Sequence, residues 1–157
     1  MESDRSAFIA MTCFCSYLTP LAILVAVLTP VTTYADDQDV IDYREHIMKS
    51  MGEQAAAIGQ ILEQKAPAEN LATHIQILMI VEATAKRAFE PNVPGGRAKP
   101  EVWTKWAEFS KRLDELTANT EDLSKIAKTG GAAAIAPRIQ AALTCKGCHD
   151  AFREPEK

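Results

Sequence analysis

After residue 36, apolar positions along the chain recur every three or four residues, the spacing of one face of an α-helix. The first stripe is Ile41, Arg44, Met48, Met51, Ala55, Ile58 and Leu62. Asp36 and Asp37 precede it, and carboxylates there suit the positive end of a helix dipole. Lys65-Ala66-Pro67-Ala68 breaks the pattern. A second stripe starts near Asn70 with Leu71, Ile75, Leu78, Val81 or Glu82, Ala85 and Phe89. Residues 90–99 hold Pro91, Pro94, Gly95 and Gly96 and predict a long connection. Pro100 fits the first position of a third helix, whose stripe is Val102, Trp106, Phe109, Leu113 and Leu116, continuing to Leu123, with Trp103 beside it. Lys125, Lys128 and Gly130-Gly131 predict its end. A fourth helix from about Ala132 carries Ile135, Ile139, Ala142 and Leu143, with Pro137 in its first turn or kinking it. Two short links and one longer one make an all-α, antiparallel four-helix bundle the expected fold.

The chain before this region is different. From Phe8 to Val31 it is uncharged and mostly apolar, follows Arg5, and leads into Thr33-Tyr34-Ala35, which approximates a small-x-Ala cleavage site. Residues 1–35 are therefore expected to be a signal peptide, with residues 36–157 as the domain. The apolar run is also long enough for an uncleaved membrane anchor, and only in that case is a membrane partner expected. Pro20 and Pro30 interrupt it and favour cleavage. Removal of Glu2, Asp4 and Arg5 takes the basic count from 17 to 16 and the acidic count from 21 to 19, a net charge of −3. Such a domain is not expected to bind nucleic acid. An aromatic content of 6% argues against a β-rich fold.

The chemistry lies near the C-terminus, in Cys145-Lys146-Gly147-Cys148-His149. On a helix, positions i, i+3 and i+4 share a face, so both thiols and the imidazole point into one space. This is the pattern of a c-type haem attachment site, with thioethers through Cys145 and Cys148 and His149 as proximal iron ligand. A structural zinc site wants four Cys or His ligands, and the only other cysteines, Cys13 and Cys15, lie in the segment expected to be removed. A redox Cys-x-x-Cys should follow a strand in a βαβ unit, and a disulfide clip would leave His149 unexplained. The second axial ligand should come from a neighbouring helix stripe, where Met48 and Met51 both lie, although a buried methionine is more often a gap-filler than a ligand. Arg44, a cation on an apolar stripe, is either a haem-propionate partner or a side chain whose stem covers the core edge while its head reaches water. His46 lies off the stripe, and His74 has no surrounding motif.

A four-helix chain with Cys-x-x-Cys-His near its C-terminus resembles the class II c-type cytochromes, the cytochrome c-prime family, over residues 37–157. Residues 148–153, Cys-His-Asp-Ala-Phe-Arg, also resemble the usual ending of that family. Asp39 to Asp42, Met48-Lys49 and Gly52 are similar to its low-spin branch. The resemblance implies one covalent haem c and Met48 as distal ligand, whereas high-spin members have a non-ligating apolar side chain there. It implies a propionate role for Arg44, while Glu45 stands where many members have an amide. The expected function is a periplasmic electron carrier with six-coordinate His149/Met48 haem, not an enzyme, acting with redox partner proteins. The alternative is binding of nitric oxide or CO at a vacant or displaceable sixth site. The resemblance also allows a homodimer through the first two helices.

Overall fold

The structure is a computed structural model and describes residues 36–155. The expected leader lies outside the described residues. Among those described, every regular element is helical, and no helix is long and apolar enough to cross a membrane.

Helix α1, Asp37–Leu62, begins in a capping box. Asp36 Oδ1 accepts from the Asp39 N–H at 2.8 Å, and the Asp36 N–H donates to Asp39 Oδ2 at 3.2 Å. Two of the otherwise orphaned donors of the first turn are thereby satisfied. Beyond its end Gln64 turns into the left-handed region at φ 61°, and a 3₁₀ turn over Ala68–Asn70 delivers the chain to α2, Leu71–Phe89. The α2 stripe turns inward on Glu82 rather than Val81: Glu82 is 2% exposed and Val81 half-buried.

The third and fourth helices depart from the expected boundaries. Lys105, at φ −119° and ψ 39°, separates a single turn, α3 (Glu101–Thr104), from the long α4 (Trp106–Ile135). Gly130-Gly131 does not end α4. Gly131 adopts φ 57° and ψ −156°, open to a residue without Cβ, and helical hydrogen bonding resumes at once. The fourth helix is in pieces: α5 spans Ile139–Ala142 and α6 spans Cys145–Phe152. Pro137 lies in the first gap, where its missing N–H cannot continue a helix. Leu143, at ψ 82°, opens the second gap.

Helices α1 and α4 each pack on α2. One core cluster, built on Ile58, Ile61, Leu71, Ile75, Leu123 and Ile135, fills the end of the bundle near the α1–α2 turn. A second, built on Ala85, Phe89, Val102, Phe109, Leu113 and Phe152, fills the other end. The architecture is a four-helix bundle whose fourth helix is broken, and the break leaves Cys145–His149 on a short helix of its own.

Candidate functional site

Helix α6 is positioned from two sides. Toward α4, Arg112 Nη1 donates to the Gly147 carbonyl at 2.9 Å, its guanidinium lies 5.5 Å from the Phe152 ring, and Phe152 meets Phe109 edge-on at 5.2 Å. Toward the long connection, the Lys99 N–H donates to the Phe152 carbonyl at 3.0 Å and the Glu154 N–H to that of Arg97 at 2.8 Å. A bridge between Ala98 and Arg153 lies between these bonds.

The connection is in turn fastened to α1 by Arg44. This residue is 3% exposed; Nη1 donates to the Val93 carbonyl at 2.7 Å and Nη2 to that of Gly95 at 3.3 Å. Its guanidinium lies 5.4 Å from the Phe89 ring and 5.2 Å from the Trp103 ring. Trp103 Nε1 in turn donates to the Phe89 and Pro91 carbonyls at 3.0 Å. Burial lowers the proton affinity of Arg44, with Glu45 opposing, but a guanidinium stays charged. The buried head, two donors of which serve the connection, corrects the idea that it reaches water. Gly95 and Gly96, at φ 142° and 58°, bring the connection so close to α1 that a Cβ on Gly95 would strike the Ile41 side chain.

Between α1, α2, α4 and α6 lies a cavity of about 620 Å³. Cys145, Cys148 and His149 line it from α6, and Arg44, Met48 and Met51 from α1. Helix α1 packs on α2, and α6 packs on α3 and α4, so the two walls are held apart. All the singled-out site residues thus border one space. Most of the remaining wall is apolar, including Leu78, Phe89, Phe109, Leu113 and Leu116. The residue that sequence reasoning left undecided is Glu82. It lines the cavity, Oε1 accepts from the buried Thr120 hydroxyl at 3.2 Å, and Oε2 has no partner.

The cavity also sets the protonation of the motif. Burial chiefly pushes the Cys145 thiol up, countered by a backbone hydrogen bond and assisted by Glu82. Burial likewise raises Cys148, against the nearby Arg112. Both therefore rest as neutral thiols, and they are not joined as a disulfide. His149 is lowered, first by burial and then by Arg153 and Arg97, which favours the neutral imidazole that binds metals. His46 is exposed, and His74 Nδ1 is paired with Gln54 Oε1 at 2.9 Å; neither lines the cavity. Two thiols and a neutral imidazole on one face, bordering an apolar space of cofactor size, fit a covalently attached haem c.

Comparison with known proteins bears on the same residues. The family model described as "Cytochrome C'" matches residues 39–153. The chain is 30% identical over 122 residues to the cytochrome c′ of Rubrivivax gelatinosus, covering 74% of this chain and 95% of that protein. It is 27% identical over 128 residues to the cytochrome c′ of Alcaligenes xylosoxydans xylosoxydans, covering 77% and 98%. Among solved structures it is similar to the nitric oxide complex of a cytochrome c prime variant from Alcaligenes xylosoxidans. There the TM-score is 0.71 and the identity 26%, covering 78% of this chain and 100% of that one.

Proposed function

The chain belongs to the cytochrome c-prime family and carries one covalent haem c, and on that premise we propose that it binds nitric oxide or CO on the iron face opposite His149, with Met48 as the side chain presented there. Cys145 and Cys148 supply the thioethers, His149 the proximal ligand, and Arg44 the donors for a propionate beyond the two it gives to the connection. The haem supplies reversible one-electron chemistry and an open coordination position. Export to the periplasm, redox partner proteins and a non-enzymatic role belong to the same proposal. So does a homodimer, for which Tyr43 on α1 and Ile77 and Ile80 on α2 are exposed apolar side chains.

This reading takes precedence over the six-coordinate carrier that the sequence pattern favoured. The relatives are cytochromes c-prime, and solved structures similar to this chain include nitric oxide complexes. The observation that carries it is the cavity itself, which spans from the α6 motif to a half-buried Met48 on the separate α1 wall. Methionine is unbranched and adaptable, so a side chain there can give way to a diatomic ligand. The test is the absorption spectrum of ferric and ferrous protein with and without CO. A high-spin ferric spectrum and a CO-shifted ferrous spectrum support the proposal. A low-spin spectrum in both states, unmoved by CO, returns the assignment to a fixed His149/Met48 carrier.

A further inference from the structure

A carboxylate has no packing task at the inward face of α2, where a Leu or Ala would fill the same position. Glu82 is nonetheless 2% exposed, borders the cavity, and leaves Oε2 without a partner. Its single-sided anchoring is specific. Thr120 is fully buried on α4, and its hydroxyl holds Oε1 while the buried Oε2 is left without a partner. A buried group kept half-satisfied beside a cofactor calls for a functional account.

Its electrostatic surroundings leave its proton free to respond to the cavity. Burial pushes the carboxyl up to about 7, with the Thr120 hydrogen bond opposing, and no cation contributes. From α1, Arg44, Glu45, Lys49 and Glu53 face the same cavity, and Arg44 is engaged by the Val93 and Gly95 carbonyls. The long connection brings Arg97, and α4 brings apolar Leu113 and Leu116 beside Thr120. From α6 come Cys145, Cys148, His149 and Arg153. Cys145 already feels the Glu82 charge as a thiol, and as a thioether it no longer titrates. The variable charge in this space is then that of the haem, which differs by one between its two oxidation states.

We propose that Glu82 is the proton-exchanging group of the haem cavity, protonated when the iron is ferrous and ionised when it is ferric, so that electron transfer is coupled to proton transfer. This rests on the haem occupying the cavity as set out above. On reduction, one electron from a redox protein or an electrode adds to the iron and one proton from solvent adds to the Glu82 carboxylate. On oxidation both leave, so the net charge of the buried space is unchanged. The physical cause is the attraction of a carboxylate for the more positive ferric centre, strengthened where water is excluded.

The experiment is a spectroelectrochemical titration of the holoprotein, repeated from about pH 5 to about pH 9 to bracket neutrality. The wild-type potential is expected to fall as pH rises through neutrality, by up to tenfold in the reduction equilibrium per pH unit, or about 59 mV. Glu82→Gln flattens that dependence. Thr120→Val keeps it but moves it to higher pH, because the lost donor favoured the ionised form. Infrared redox-difference spectra give a second readout: a carboxyl C=O band appears on reduction, shifts in Thr120→Val and is absent in Glu82→Gln. The wild-type and Thr120→Val spectra decide the matter even if Glu82→Gln does not fold. A pH-independent wild-type potential, an unchanged slope in Glu82→Gln, or a reduction spectrum without the Thr120-sensitive band overturns the proposal. Failure of the haem assignment is separately visible, because such a protein shows no covalent haem on a denaturing gel.

Discussion

The two ends of this bundle share α1, α2 and α4 and are filled in opposite ways. Near the α1–α2 turn the interior is aliphatic and closed, with Ile58, Leu71, Ile75 and Ile135 at 1% exposure or less. At the other end Phe89, Phe109 and Phe152 stand around a cavity whose wall includes the buried charges of Arg44 and Glu82. Leu78 belongs to both, packing into the aliphatic cluster and lining the cavity. The closed end holds itself together chiefly by apolar burial. The open end is held by the connection, bonded to α1 through Arg44 and to α6 through backbone pairing, and is completed by the cofactor. The aliphatic end can therefore be weakened without altering the haem site, whereas the open end depends on its cofactor.

The most severe way to break the contrast is to remove the cofactor. In Cys145→Ala/Cys148→Ala protein, α6 loses its covalent tether and a cavity of about 620 Å³ is left without its filling. Close-packed interiors tolerate no such void, and a small domain has little stability in reserve. We expect loss of the cooperative thermal transition, with amide protection persisting around Ile58, Leu71 and Ile75 and vanishing in α6. Circular dichroism and hydrogen exchange check this. A sharp transition close to that of the holoprotein would show that the open end stands without haem.

The complementary lesion is Ile75→Ala, at a fully buried position of the closed end. It should cost about 2–5 kcal/mol in denaturant unfolding of the holoprotein, yet leave the haem spectrum unchanged. A spectral change would mean that the two ends are coupled more tightly than their packing implies.

The same contrast governs what could be read from residue order. The closed end was legible because a single aliphatic stripe per helix suffices to build it, and Ile58, Leu71 and Ile75 all lie on the expected stripes. The motif was legible because Cys-x-x-Cys-His needs only local spacing. The open end depends on partners far apart in sequence. Arg44 finds the Val93 carbonyl 49 residues away, which no periodicity reveals. Glu82 was left level with Val81 because both continue a 3.6-residue stripe, and hydropathy points the wrong way at a buried carboxylate. The spacing from Leu78 to Glu82, Ala85 and Phe89 was the available signal. Helix breaks divided similarly: Pro137 announced one gap in the fourth helix, whereas Lys105 and Leu143 carry no breaker chemistry. At Gly130-Gly131 the glycine signal marked a kink rather than an end.

Glu82 also distinguishes the two ends through pH. Its folded carboxyl sits at about 7 against an ordinary 4.5, so the folded state binds this proton more tightly than the unfolded chain does. The associated stability is fully present below about 4.5 and is lost as pH rises through about 7, on the order of 3 kcal/mol in all. Glu82→Gln should therefore gain stability over wild type at about pH 8 and lose that advantage near pH 4. Denaturant unfolding of the two holoproteins at both pH values, with the iron kept ferrous so that the carboxyl is in the state that favours its proton, checks the sign. The penalty of Ile75→Ala, which touches no titrating group, should be the same at both.

The smallest expected effect separates two methionines on one helix. Met48 packs against the aromatic cluster alone, whereas Met51, one turn further on, packs against both clusters. Both border the cavity and both are half-buried, so burial does not distinguish them. Their neighbours do. Truncating Met51 removes a side chain that joins the two ends, and Met51→Ala should cost about 2 kcal/mol of stability, at the low end for a methionine, with the ferric spin state unchanged. Truncating Met48 removes a side chain that a bound gas must share space with or displace. Met48→Ala should raise the affinity for CO about tenfold, equivalent to about 1.4 kcal/mol, with a smaller loss of stability. Equilibrium CO titration of the ferrous proteins and denaturant unfolding measure the two effects side by side. If Met51→Ala changes gas affinity and Met48→Ala does not, the gas-facing position lies one turn further along α1. If Met48→Ala turns a low-spin wild type high-spin, Met48 is an iron ligand and the electron-carrier reading is restored.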